Sequence, residues 1–216
     1  MGLFNSSNAP EPAAVLAPVP HPIGVLPQYT IHTQQMALKI RERKTGFSGD
    51  NFKVKDAVTD QSIFQVDGKA FSLSSSKHIL DANGQTLFTL KKKLISIHMT
   101  YEGYAPNTDE PLFTVKSGFS FGTKLTASFT NRAAAGGGAA GEPVTLVLKG
   151  DLFDRKAEIC TEAGVPVARI SRSFANMGQL FFDTQTYILT IAPGVDAALL
   201  LAICIVLDEK ANEDKH

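Results

Sequence analysis

Short runs in which apolar or β-branched residues alternate with polar ones recur at intervals of roughly ten residues, the pattern of a meander or barrel. They cover residues 52–54, 62–66, 78–80, 86–91, 95–101, 112–116 and 124–130, then 144–149, 156–161, 167–173 and 186–191. Turn chemistry separates them. Asp81-Ala82-Asn83-Gly84 and Glu162-Ala163-Gly164 each place a residue that tolerates positive φ between two runs, which predicts hairpins. No helical pattern alternates with the strands, so antiparallel closure is favoured over a parallel βαβ sheet.

The C-terminus has a different period. Pro193-Gly194 stops the last strand, Asp196 can cap a first turn, and a helix is predicted over residues 197–212. Every residue from 197 to 207 is apolar. A helix apolar on all faces needs apolar surroundings on all faces, either lipid or the protein's own core. At about 1.5 Å per residue the run spans roughly 16 Å, about half of a bilayer's hydrocarbon thickness. Asp208-Glu209-Lys210 follows at once. The helix therefore belongs inside a barrel whose inward-facing strand residues cover it.

Two segments break the pattern. Residues 1–30 hold Pro10, Pro12, Pro18, Pro20, Pro22 and Pro27, a density that predicts a disordered, extended arm, with the folded domain beginning near Ile31 and running to residue 214. Residues 131–142 carry an Ala/Gly stretch with little side chain to pack, and this is expected to be a flexible loop between strands of one domain. The chain length of 216 residues and the hydrophobic share of 44% suit one all-β domain with a full core.

Lys plus Arg and Asp plus Glu both total 21, so no whole-molecule field favours nucleic acid, and none is expected as a partner. Cys160 and Cys204 are far apart and lack metal-ligand spacing, which fits inert thiols in an intracellular, cytoplasmic protein. No secretory signal pattern opens the chain, so it is expected not to be secreted, and a monomer is expected.

Three stretches carry a family likeness. They are His78-Ile79-Leu80-Asp81-Ala82-Asn83-Gly84 running on to Lys91-Lys92-Lys93, then Lys149-Gly150-Asp151-Leu152-Phe153-Asp154-Arg155, and Tyr187 through the apolar helix to Asp208-Glu209. With strands throughout and one apolar helix last, the chain resembles the LURP-one-related proteins of the tubby C-terminal-like superfamily, to which the phospholipid scramblases also belong. The resemblance covers residues 31–214. It implies a closed antiparallel β-barrel wrapped around a hydrophobic C-terminal α-helix and no shared catalytic residues, and fold alone does not fix activity.

Candidate chemistry is sparse. Gly118-Phe119-Ser120-Phe121-Gly122 matches the nucleophile-elbow pattern, which requires a strand before the serine and a helix after it. Residues 124–130 alternate as a strand instead, so no catalytic residue is assigned. The histidines at 21, 32, 78, 98 and 216 show no metal-ligand spacing, and neither metal nor cofactor is expected. The Ala/Gly stretch lacks the Gly-Lys-Ser/Thr that completes a phosphate-binding loop.

Two basic clusters remain, Lys39/Arg41/Arg43/Lys44 and Lys91/Lys92/Lys93. Basic residues on the barrel surface hold phosphoinositide headgroups in the tubby branch, so the resemblance makes both clusters candidates for lipid headgroups, although lysines on a net-neutral surface also serve simply as solvated charge. Met1-Gly2-Leu3-Phe4-Asn5-Ser6 fits the N-myristoylation pattern, which makes Gly2 a lipidation candidate. The expected function is that of a non-enzymatic phospholipid-binding or signalling adaptor at an anionic membrane surface. Scramblase-like lipid handling and a scaffold for protein partners are the alternatives.

Overall fold

The computed structural model describes residues 15–45, 49–68, 76–118, 123–134, 140–151, 156–171 and 186–213. Twelve strands follow one another: β1 (Met36–Thr45), β2 (Gly49–Asp56), β3 (Ser62–Gly68), β4 (Ser76–Asp81), β5 (Thr86–Lys92), β6 (Thr100–Tyr104), β7 (Pro111–Ser117), β8 (Thr123–Thr130), β9 (Pro143–Asp151), β10 (Lys156–Thr161), β11 (Pro166–Ser171) and β12 (Thr186–Ile191). The helix α1 (Ala197–Glu213) ends the chain's order of elements. Each strand pairs with its sequence neighbour, and β1 closes the barrel on β12 in antiparallel register from Met36↔Ile191 to Arg41↔Thr186. Closure removes the free sheet edges.

Alternation decides what fills the barrel. Leu38, Ile40, Phe52, Val54, Phe64, Val66, Phe88 and Leu90 are buried, as are Phe113, Val115, Leu146 and Leu148. The residues between them, such as Lys53, Gln65, Lys91 and Lys116, face outward. All positions of α1 from Ala197 to Asp208 are buried, so the strand interiors cover the helix on every side. Gly103 of β6 makes room for this packing: a Cβ there would lie 2.1 Å from the Phe113 ring. That ring packs edge-on against Phe88, with 5.1 Å between centroids.

Both predicted hairpins form, with Gly84 at φ +82° between β4 and β5 and Gly164 at φ +83° between β10 and β11. Asp196 caps α1, its Oδ1 accepting from the amides of Ala198 at 3.0 Å and Leu199 at 3.1 Å.

Three expectations need correction, and one strand is absent from the sequence pattern. Residues 15–30 are not a disordered arm. Leu16 and Val25 are buried in the core, the Ile23 amide donates to the Gly194 carbonyl at 3.0 Å, and the Asp196 amide donates to the Ile23 carbonyl at 2.9 Å. Prolines are compatible with this path because it is irregular, and Pro18, Pro20, Pro22 and Pro27 fall between the residues whose amides donate. The loop 131–142 starts as packed structure: Asn131, Ala133 and Ala134 are buried, and Asn131 bonds the Gly24 amide and the Pro22 carbonyl. Its residues 135–139 lie outside the described residues. Strand β1 does not stand out in the sequence, because charge at its outward positions hides the apolar alternation of Met36, Leu38 and Ile40. Finally, the strand predicted over 95–101 begins only at Thr100.

Candidate functional site

Because the strands alternate in direction, the β5–β6 connection lies at the rim where α1 ends, and the arm covers the opposite rim. Lys91, Lys92 and Lys93 close β5 at the first of these rims, and the pleat splits them. Lys92 turns to the helix and pairs with Glu213 at 2.6 Å. Lys91 faces out, its ammonium 4.6 Å from the centroid of the Tyr104 ring. Lys93 pairs with Glu102 at 2.7 Å and keeps 53% of its side chain exposed.

Lys116 of β7 stands beside them, opposite Thr100 in the β6–β7 register, and is exposed. Glu102 sits among these cations and accepts from the Tyr104 hydroxyl at 2.8 Å. The Lys93 ammonium, with help from Tyr104, holds the Glu102 carboxyl below the usual carboxylate range. Around Glu102 the outer face of this rim therefore carries Lys91, Lys93 and Lys116.

Inside the rim the helix is tied down. Lys77 of β4 is buried, lies 5.5 Å over the Phe52 ring and pairs with Glu209 of α1 at 2.6 Å. The Tyr101 hydroxyl also donates to Glu209, at 3.4 Å. These contacts fix where α1 emerges and balance the charge of Glu209.

The connection itself, residues 93–99, is closed at its base. The Lys93 amide donates to the Thr100 carbonyl at 2.8 Å and the Ser117 amide donates to the Met99 carbonyl at 2.9 Å. The Thr100 hydroxyl donates to the His98 carbonyl at 3.0 Å. Leu94, Ile95 and Ile97 project from it at 74%, 95% and 92% exposure.

The other candidates are dispersed. Lys39, near the start of β1 and the opposite rim, is bonded to Asp60, which Lys55 also holds at 2.6 Å. Lys39 first, then Lys55, pull the Asp60 carboxyl down to about 2. Arg41 is exposed on β1. Arg43 and Lys44 lie on β1 near the lysine-bearing rim, with three strands between β1 and β5, and their side chains lie outside the described residues. Gly2 and Ser120 also lie outside them, and the element after the Gly118–Gly122 motif is strand β8 rather than a helix.

His32 and His78 are held by local contacts, His32 Nε2 with the Val195 carbonyl at 2.9 Å and His78 Nδ1 with the Thr89 hydroxyl at 3.1 Å. Among the described residues no three His, Cys, Asp or Glu side chains converge as a metal site. No helix among them is long and apolar enough to cross a membrane.

Reasoning from sequence missed Lys116 and the exposed Leu94, Ile95 and Ile97. The first is one lysine in an ordinary strand. The others alternate as a strand would, and only the start of β6 at Thr100 separates the two readings.

The comparisons with known proteins agree with this architecture. The chain is 25% identical to Protein LURP-one-related 15 of Arabidopsis thaliana over 92% of its own length and 91% of that protein's. It is likewise 25% identical to Protein LURP-one-related 12 of the same plant, over 85% and 82%. To the uncharacterized protein YxjI of Bacillus subtilis it is 26% identical over 76% and 91%. None of these relatives is named as an enzyme. The X-ray structure of an Arabidopsis thaliana protein superposes with a TM-score of 0.57 at 21% identity, covering 86% of this chain and 96% of that one, a likeness of fold. The model of the family described as LURP-one-related matches residues 36–208, from the first strand into the buried helix, and the chain therefore belongs to the LURP-one-related family.

Proposed function

We propose that this chain is a non-enzymatic adaptor that binds anionic phospholipid headgroups at a membrane surface through the rim at which α1 ends. One observation carries the reading: Lys91, Lys93 and Lys116 share the outer face of that rim with Glu102 as the carboxylate among them. Each cation near an anionic surface contributes on the order of 1 kcal/mol. Lys92 and Lys77 are committed to Glu213 and Glu209, so their task is to anchor the helix. Acylation of Gly2 would add a second, linked attachment, since one acyl chain binds membranes only marginally. Lipid scrambling is less well supported, because the chain's apolar helix fills its own barrel.

Sedimentation with phosphoinositide-containing vesicles tests this. The parent should bind at low salt and weaken as salt screens the exposed charges. The variant Lys91→Glu/Lys93→Glu/Lys116→Glu should lose more than a hundredfold in affinity, and a Gly2-acylated form should bind more tightly than Gly2→Ala. Equal binding of parent and triple variant would refute the reading.

A further inference from the structure

Resting on that reading, we infer that the β5–β6 loop is a membrane-insertion tip: Leu94, Ile95 and Ile97 enter the acyl boundary of the bilayer while Lys91, Lys93 and Lys116 engage its anionic headgroups. Exposed aliphatic side chains are ordinary when single, but a contiguous group marks a contact surface. Here three branched aliphatics crowd into four residues, and at 74%, 95% and 92% exposure they touch almost nothing of their own chain. The base of the loop is fixed to the barrel. The backbone bonds from Lys93 to Thr100 and from Ser117 to Met99 pin both legs of the loop to the barrel.

The chemistry around the tip selects the occupant. A cationic base beneath an apolar tip matches the order of a bilayer, anionic phosphates outside and hydrocarbon within. The long stems of lysine suit this boundary, because they can lie along apolar surface while the ammonium stays with phosphate. A protein partner fits less well. A stable interface covers roughly 800 Å² on each side, and three side chains on a narrow loop supply only a small part of that.

The chain contains no tryptophan, so Ile95→Trp places a single indole at the tip. With vesicles carrying anionic lipid its emission should shift to the blue, and acyl chains brominated near the headgroup should quench it. The double variant Ile95→Ser/Ile97→Ser should keep the parent's circular dichroism and lose at least tenfold in vesicle affinity, a change of about 1.4 kcal/mol or more. If Ile95→Trp binds these vesicles without blue shift or quenching, and the double serine variant binds as the parent does, insertion is overturned while headgroup binding stands. If the parent binds no vesicles of any composition, both readings fall. A parent dimer that the serine variant dissociates, seen by sedimentation velocity, would instead give the tip to a second copy and overturn the inference.

Discussion

At the scale of single residues, Asp196 joins parts of the chain that lie far apart in sequence. Its Oδ1 caps α1, and its Oδ2 accepts the amides of Val25 at 3.0 Å and Leu26 at 2.8 Å. Burial pushes its carboxyl up to about 6, with the four amide donors opposing that rise. The folded state therefore holds this proton more tightly than the unfolded chain does. Between about pH 4 and pH 6 the folded state carries the excess proton, so the contribution falls as pH rises through that window and levels off above it. Relative to Asp196→Asn, the parent should lose on the order of 2–3 kcal/mol of stability from pH 4 to pH 7. Urea melts of both proteins across that range check this, and parallel curves would show that the carboxyl titrates normally. The cap was legible in the sequence because capping is local. The latch to Val25 and Leu26 was not, since it joins residues about 170 positions apart through an arm whose prolines indicate only that it is neither helix nor strand.

At the scale of elements, the two ends of the barrel are built differently. The arm seals the end where α1 begins, and the fit is close. A Cβ on Gly24 would lie 2.2 Å from Asp196 Cβ, so Gly24→Ala must push the arm off the cap. We expect a loss of about 1–3 kcal/mol, the usual cost of overpacking, and new protease cleavage between residues 15 and 30 under native conditions. Unchanged stability with the arm still protected would mean that it has another way to seat. The helix-exit end instead presents the lysines and the β5–β6 loop. Most strands could be read from the sequence because inward and outward positions alternate in polarity. Residues 95–99 look like a strand in the sequence because Ile95 and Ile97 alternate just as core residues do, and only the partner strand settles whether such residues face in or out. Strand β1 is hidden for the opposite reason, Lys39 and Arg41 masking Leu38 and Ile40.

At the scale of the whole molecule, one arrangement governs the rest: the barrel closes around its own C-terminal helix. Without it Glu209 would not meet Lys77, Glu213 would not meet Lys92, and the rim would lose the frame that presents its outer lysines and its apolar loop. That arrangement was the most legible feature of the sequence, because an eleven-residue run of apolar positions, residues 197–207, leaves a helix no solvent-facing side. What the rim binds was less legible, since surface lysines look alike until their partners are known. The two thiols probe the arrangement directly. Cys204 lies in the middle of α1 and is fully enclosed, and burial raises its pKa far above the ordinary thiol value, whereas Cys160 on β10 is half-buried. Under native conditions a thiol reagent should therefore label Cys160 alone, with Cys204 reacting only at the rate of global unfolding and both labelled at once in denaturant. Labelling of Cys204 in the native protein as fast as Cys160 would place the helix outside the barrel and contradict the account.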